Sequence, residues 1–285
     1  MKKKNNKNLT KNIINIIIIL MASTSLVVMA ISIENIYKWK IDNDKTKKQV
    51  SELQEKTEIK EEVVDNNSEN VEVIEQEEEV PKSNPYWDYI YMPMMDVDFK
   101  ELKESNKDTV GWIKMDGTYI NYPFVQSKDN KYYLTRSYNK TYNTGGWIFL
   151  DYRNKMNKLS KNNIIYGHDR KDDSMFGSLA NVFTKKWQNN KDYHVIKIST
   201  EKENTLWQIF SVYHLPATND YIKVNFSDDR DFQNFINMIS KRTMYDFGTT
   251  VNVNDKILTL STCYGSSAKE RAVVHAKLIK IETKQ

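Results

Sequence analysis

The most reactive side chain in the sequence is its single cysteine, Cys263. It ends the run KILTLSTC at 256–263, an apolar strand pattern that turns polar at its C-terminal end. A cysteine where a strand gives way to a loop is placed like a functional residue on a rigid element, whereas a packing cysteine more naturally lies mid-strand. Since only the thiolate attacks, catalysis by Cys263 needs a nearby positive charge that lowers the thiol pKa. A lone cysteine also excludes an intrachain disulfide and a C-x-x-C motif.

The first candidate source of that charge is Arg271, which begins the apolar pattern RAVVHAKLI eight residues after Cys263. A short hairpin would bring the start of this second strand back beside the end of the first. A guanidinium stays protonated, and its fixed donors suit a developing oxyanion or the carbonyls of a bound peptide. On spacing alone, a surface charge is the more ordinary interpretation of an arginine at a strand start.

The second candidate is a histidine, of which the chain has four. His168 ends the strand pattern NNIIYGH at 162–168, which is again a strand-end position and favours a role in acid–base chemistry. His194, His214 and His275 lie within or at the start of strand patterns, and each is interpreted as a structural histidine.

A metal site and a cofactor are not predicted. No two histidines stand four residues apart, no H-E-x-x-H motif is present, and the aspartates have no Ca²⁺-loop spacing. The net charge of +4 is modest and the basic residues of the C-terminal two thirds are spread along the chain, which argues against nucleic-acid binding.

The elements that must position these residues are mainly strands. Eight or so short runs rich in β-branched and aromatic residues, with little helix, predict a β-barrel or closed sandwich. One or two short helices are expected after Pro85, with Asp96 or Asp98 as the N-cap. A helical stretch follows Asp173, and a longer one over 227–245 has Ser227 as its expected N-cap and an apolar face.

The N-terminal part predicts a membrane anchor. Residues 1–12 carry five lysines and form a cytoplasmic tail, and residues 13–33 are 21 uncharged residues, long enough for a helix to cross a bilayer. The positive-inside rule then places the rest of the chain outside. A cleaved signal peptide, with Ala30 near the cleavage site, is the rival interpretation. Residues 34–80 are predicted to be a solvated charged spacer and residues 81–285 the catalytic domain.

As a set, these residues resemble the sortases. The box TLSTC at 259–263, with Arg271 downstream and YGH at 166–168 upstream, carries the resemblance. Further segments are similar to class B sortases in particular: INYPFVQ at 120–126, DNKYYL at 129–134, FLDYRN at 149–154 and DSMF at 173–176. The resemblance implies a closed, roughly eight-stranded β-barrel with N-terminal helices and one longer helix before the strand that ends at Cys263.

It also implies a function. Cys263 would attack the carbonyl of a threonine in a C-terminal sorting motif of a surface protein, and the thioacyl enzyme would pass to an amine of the cell wall or of another protein. His168 would protonate the leaving amine and deprotonate the incoming one, while Arg271 would hold substrate and oxyanion. Asn121, Ser261 and Thr262 stand where family members contact substrate. The partners would be sorting-motif proteins, a peptidoglycan precursor amine and the cytoplasmic membrane.

Three alternatives stay open at this point, two of them enzymes. The first alternative is a papain-like cysteine peptidase. Those enzymes place the cysteine before the histidine in the chain, whereas His168 precedes Cys263 here, and this order counts against them. A hydrolase with the same triad would use water in place of the amine. A non-enzymatic, anchored surface-binding module would treat Cys263 as a packing residue.

Overall fold

The computed structural model describes residues 2–61, 89, 92–264 and 270–284, and of residues 2–11, Cys263 and Tyr264 it describes the backbone alone. The chain divides into two compact units, Met1–Lys45 and Thr46–Gln285. Helix α1, Lys2–Lys56, forms the described part of the first unit and extends into the second.

Helix α1 exposes its apolar side chains in the first unit. Ile16, Leu20 and Val28 are each more than half exposed. The helical stretch Asn12–Lys56 includes a window of mean hydropathy 2.6, so it is long and apolar enough to cross a membrane, although a signal sequence would meet the same criterion. The anchor and its bounds stay a prediction.

The second unit is built on a closed barrel of eight strands, as the sequence predicted. In barrel order these strands are β10 (Glu270–Thr283), β8 (Glu203–Pro216), β7 (Val195–Ser199), β3 (Thr109–Met115), β4 (Ile120–Val125), β5 (Phe149–Leu150), β6 (Asn162–Tyr166) and β9 (Ile257–Tyr264). The β4–β5 and β6–β9 pairs are parallel and the other pairs are antiparallel. Closure pairs every barrel strand on both sides and leaves no sheet edge.

A small separate sheet pairs β1 (Ile59–Glu61) with β2 (Met95–Val97). Residues 46–61 were predicted to belong to the solvated spacer, but they pack within the second unit. Leu53 of α1 joins the barrel core, and Asn143 donates a hydrogen bond of 3.0 Å to Thr46 Oγ1. The predicted end of the spacer and start of the catalytic domain, at residues 80 and 81, lie outside the described residues.

The helix predicted after Pro85 is α2, Lys100–Ser105. Asp96 is wrong as its N-cap because that residue lies in β2. Phe99 occupies the N-cap position, and the carboxylate of Asp98 accepts a hydrogen bond from the Lys100 amide at 2.8 Å. The stretch after Asp173 is a 3₁₀ helix, Gly177–Phe183, followed by the one-turn α3, Lys185–Gln188.

The longer helix, α4, spans Asp229–Lys241 and buries Phe232, Phe235, Ile236 and Ile239 on one face, as predicted. This face forms a second core with residues of β8, β9 and β10 that point away from the main core, which lies inside the barrel. Ser227 is wrong as the N-cap. Asp228 has extended backbone and its carboxylate accepts the hydrogen bond of the Asp231 amide at 2.7 Å.

Candidate active site

Three neighbouring strands place the predicted catalytic residues at one end of the barrel. In the antiparallel pair β9–β10, Arg271 is the direct partner of Cys263. In the parallel pair β6–β9, Tyr166 is the partner of Ser261. β6 ends at Tyr166 and β9 continues to Tyr264, and His168 stands two residues beyond Tyr166 as Cys263 stands two residues beyond Ser261. His168 therefore lies at the level of Cys263 along the strand direction. Directly opposed residues of an antiparallel pair have Cα atoms about 4.5–5.5 Å apart, which puts the backbones of Arg271 and Cys263 side by side.

The imidazole of His168 is half-buried and held by the main chain. Its Nε2 lies 2.8 Å from the carbonyl oxygen of Leu134. A carbonyl can only accept, so Nε2 carries the proton and Nδ1 is the basic nitrogen of the neutral ring. Burial, together with the charge of Arg170, lowers the pKa of His168, although the bond to Leu134 opposes this. The neutral form therefore prevails at neutral pH, and His168 can act as a base through Nδ1.

Gly146 makes room for this ring. Its φ is 57°, in the left-handed region. A Cβ atom there would lie 2.5 Å from the carbonyl oxygen of Tyr133 and 2.8 Å from Cδ2 of His168. Only glycine fits both the conformation and the space, so the turn at 145–146 contributes to the position of the imidazole.

The chain after His168 folds back tightly. Asp169 forms a β-bridge with Met175, and the amide of Phe176 donates to the carbonyl of His168 at 3.0 Å. Asp173 and Met175 have positive φ values of 61° and 55°. This backbone conformation costs free energy, and residues that adopt it cluster at functional sites. The β-bridge and the hydrogen bond of this loop hold the conformation and so fix the backbone of His168.

Arg271 is half-buried at the start of β10, and its Nη1 donates to the carbonyl of Glu270 at 3.0 Å. The guanidinium is thus partly oriented by its own main chain. The backbone of this permanently charged residue pairs with that of Cys263, and a cation in such a place is of the kind that would favour a thiolate and stabilise negative charge on a substrate oxygen.

The three predicted substrate-contact residues have different environments. Ser261 is buried, and its hydroxyl is 2.9 Å from the hydroxyl of Tyr221. Thr262 is 4% exposed, and its hydroxyl has no hydrogen-bond partner within the described part of the chain. Asn121, in β4, accepts a 2.7 Å hydrogen bond from the indole of Trp112. The described contacts of Asn121 join it to Trp112 and to Gln54 of α1 rather than to the end of β9.

Sequence reasoning missed Tyr221. This residue lies between β8 and α4, outside any strand or helix pattern, and it is buried against Ser261. Its position depends on contacts with residues far away along the chain, so no local signal marks it. Among the described residues, no three His, Cys, Asp or Glu side chains are grouped so that they could hold a metal ion.

Comparisons with known proteins identify a family for this fold. The family model of the sortase domain matches residues 113–279. Sortase B of Staphylococcus aureus (strain NCTC 8325 / PS 47) is 35% identical over 185 residues, which cover 64% of this chain and 75% of that protein. Sortase B of Listeria monocytogenes serovar 1/2a is 37% identical over 188 residues, which cover 64% of this chain and 74% of that protein.

Two solved structures are similar as well. A sortase B–substrate complex of Staphylococcus aureus superimposes with a TM-score of 0.60 at 35% identity, covering 64% of this chain and 84% of that one. Sortase B of B. anthracis in complex with AAEK1 superimposes with a TM-score of 0.66 at 34% identity, covering 84% and 99%.

Proposed function

This chain belongs to the sortase family, within class B, and on that premise we propose that it is a membrane-anchored transpeptidase with Cys263 as its nucleophile. Its substrate is the C-terminal sorting motif of a surface protein, which it cleaves after a threonine and transfers to an amine of the cell wall. The observation that carries the proposal is the pairing of Arg271 with Cys263, together with the parallel β6–β9 pair that ends at Tyr166, two residues before His168.

The reaction has two halves. In the first, Nδ1 of the neutral His168 takes the proton of the Cys263 thiol, and the resulting thiolate attacks the threonine carbonyl carbon. The C–N bond breaks and His168 gives that proton to the leaving amine, which leaves a thioester. In the second, His168 takes a proton from the incoming amine as that amine attacks the thioester. An amide forms, the sulfur leaves, and His168 returns its proton to it, so the thiol and the neutral imidazole are regenerated.

Arg271 acts on the charge that develops in both halves. Each tetrahedral intermediate places a negative charge on the former carbonyl oxygen, and fixed donors aimed at that oxygen lower the barrier. The guanidinium of Arg271 is permanently charged and partly oriented by the Glu270 carbonyl. Orienting it toward the developing charge therefore costs little free energy. Ser261, Thr262 and Asn121 are proposed to contact the sorting motif.

The test is mass spectrometry of the full-length chain in detergent, incubated with a panel of sorting-motif peptides and an oligoglycine or diaminopimelate-type amine. We expect a peptide adduct on the wild-type chain and a ligated product. Neither should form with Cys263→Ala. Cleavage without ligation for every amine would indicate a hydrolase.

A separate arm uses no substrate. A catalytic thiolate is alkylated rapidly in the folded protein, whereas a packing cysteine is protected. A thiol that resists alkylation in the native state, together with the absence of any adduct, would overturn the proposal and favour a binding module.

A further inference from the structure

Gln126, Asn130 and Asp151, from the segments 120–126, 129–134 and 149–154, take no part in the proposed chemistry, yet the structure brings them together around one carboxylate. Asp151 is fully buried just after β5. The side-chain amide of Gln126 donates to the carbonyls of Asp151 and Asn154 at 2.8 and 2.7 Å, and the amide of Asn130 donates to the Asp151 carboxylate at 2.9 Å. Tyr166 at the end of β6 donates to the same carboxylate at 3.0 Å.

The principal partner of this carboxylate is Arg153. Its Nε donates to Oδ1 at 2.8 Å and its Nη2 donates to Oδ2 at 2.7 Å, which is a two-point ion pair with fixed geometry. Burial opposes ionisation, but the hydrogen bonds and charge of Arg153 outweigh it and lower the pKa of Asp151. A buried, charged and fully bonded carboxylate holds the guanidinium in one orientation.

That orientation points Nη2 of Arg153 at a third oxygen. It lies 3.0 Å from the main-chain carbonyl of Ile222, in the connection between β8 and α4. The two neighbouring carbonyls are held in the same way by Asn162 of β6, whose amide nitrogen is 2.9 Å from the Lys223 oxygen and 3.3 Å from the Tyr221 oxygen. Three successive carbonyls are therefore attached to the barrel by side chains.

The attached segment reaches the candidate active site through Tyr221. Its hydroxyl bonds to Ser261, which stands two residues before Cys263 in β9. A displacement of residues 221–223 would move this hydroxyl and withdraw the only described side-chain partner of Ser261. Fixing residues 221–223 therefore also fixes the surface beside Ser261 that a substrate would contact.

We propose that Arg153, oriented by Asp151, is a positioning residue that fixes the segment 221–223 and thereby the sorting-motif binding surface beside Ser261. It touches no reacting atom. Its removal should weaken the binding of the sorting peptide and leave the chemical step nearly intact. The inference deepens the proposed function, and its kinetic arm rests on that function.

The kinetic test compares Arg153→Gln, Arg153→Lys and the matched control Arg230→Gln, an exposed arginine on α4, in the full-length chain in detergent. Arg153→Gln should raise KM for a cleaved sorting peptide roughly tenfold with kcat within about twofold of wild type, since a lost binding contact acts on KM. Arg153→Lys should lie between, because one ammonium cannot make the two-point pair and also reach the Ile222 carbonyl. Arg230→Gln should match wild type. Unchanged KM, or a fall in kcat alone, would overturn the proposal.

Hydrogen–deuterium exchange gives an arm that needs no substrate, so it decides the matter even if no sorting peptide is turned over. In Arg153→Gln, peptides covering 219–226 should exchange faster while those of β6 and β9 exchange as in wild type. If Arg153→Gln does not fold, the same comparison is made with Arg153→Lys. Exchange that rises uniformly over the barrel, or not at all, would contradict a local positioning role.

Discussion

At the scale of single residues, a chain of hydrogen bonds links buried polar side chains around β9. The chain determines which atom of each group carries the proton. Thr259 donates to the side-chain oxygen of Asn162 at 2.6 Å, so its oxygen accepts from Nδ1 of His275 at 2.9 Å. Nε2 of His275 then accepts from the hydroxyl of Tyr213 at 2.8 Å. The ring is neutral with its proton on Nδ1, in agreement with the structural role predicted for His275, and burial lowers the pKa of His275 to about 3.

This histidine makes stability depend on pH. An unfolded histidine titrates near 6.5, so between about pH 6.5 and 3 the unfolded state binds a proton that the folded state does not. The contribution is fully present above pH 6.5 and is lost as the pH falls. Between pH 7.5 and pH 5 we expect a loss of about 2 kcal/mol in the free energy of unfolding from this residue. Urea denaturation at both pH values measures it, with His275→Gln as the comparison. An equal loss in the two proteins would contradict the assignment.

Gly146 offers a second test at the residue scale. The left-handed conformation alone should cost Gly146→Ala about 1–2 kcal/mol, and the new methyl would press on Tyr133 and His168. Displacement of the imidazole should lower kcat/KM by at least roughly tenfold.

Gly248→Ala is the matched control for Gly146→Ala. Gly248 has a φ of 62° at an exposed position, so its substitution carries similar backbone strain. We expect it to lower stability and leave peptide cleavage unchanged. Equal losses of peptide cleavage in both variants would contradict the prediction that the contact between position 146 and His168 determines activity.

At the scale of elements, the short strand β1 is secured by charge. The carboxylate of Glu61 accepts hydrogen bonds from Lys114 of β3 and, at 2.9 Å, from Lys197 of β7, whose side chain is 5% exposed. Burial opposes ionisation of Glu61, but the two ammonium groups outweigh it and lower the pKa of the carboxyl. Glu61, a residue of the predicted spacer, thus neutralises a buried lysine of the barrel wall.

Glu61→Gln should therefore destabilise the second unit. It leaves the Lys197 charge without its described counter-ion, and we expect a loss of about 1–3 kcal/mol in the free energy of unfolding. Glu58→Gln is the control, because the pair of Glu58 with Lys60 is exposed and should change stability by less than about 0.5 kcal/mol. Chemical denaturation of the three proteins compares them, and similar stability for both variants would argue against a structural role for β1.

At the scale of the whole molecule, the first unit exposes apolar side chains over a length that could cross a membrane, whereas the barrel buries its own apolar residues. With five lysines before the apolar run, the N-terminus is expected in the cytoplasm and the catalytic barrel outside. An enzyme that acts on surface proteins would be retained at the membrane where they emerge.

The corresponding prediction concerns retention. The full-length chain should stay with membranes during alkaline carbonate extraction, and deletion of residues 2–33 should release it. Mass spectrometry of the retained protein should recover peptides from residues 2–12. A mature protein that begins after Ala30 would instead identify a cleaved signal peptide.

The sequence by itself determined the features that depend on neighbours along the chain. The apolar face of α4 follows from its helical spacing, and the return of Arg271 beside Cys263 follows from a short connection between two strands. Together with the resemblance carried by 166–168 and 259–263, these local signals were enough to predict the closed barrel and its family.

Tertiary structure decided the rest, because a residue's own pattern does not specify a partner far away in the chain. The parallel pairing of β6 with β9 brings His168, two residues beyond the end of β6, to the level of Cys263 across nearly a hundred residues. Glu61 reaches Lys197 over 136 residues. The proton on His168 depends on the carbonyl of Leu134, and the place of Tyr221 depends on side chains of the barrel. Each of these is a long-range polar contact, and its geometry exists only once the strands have closed.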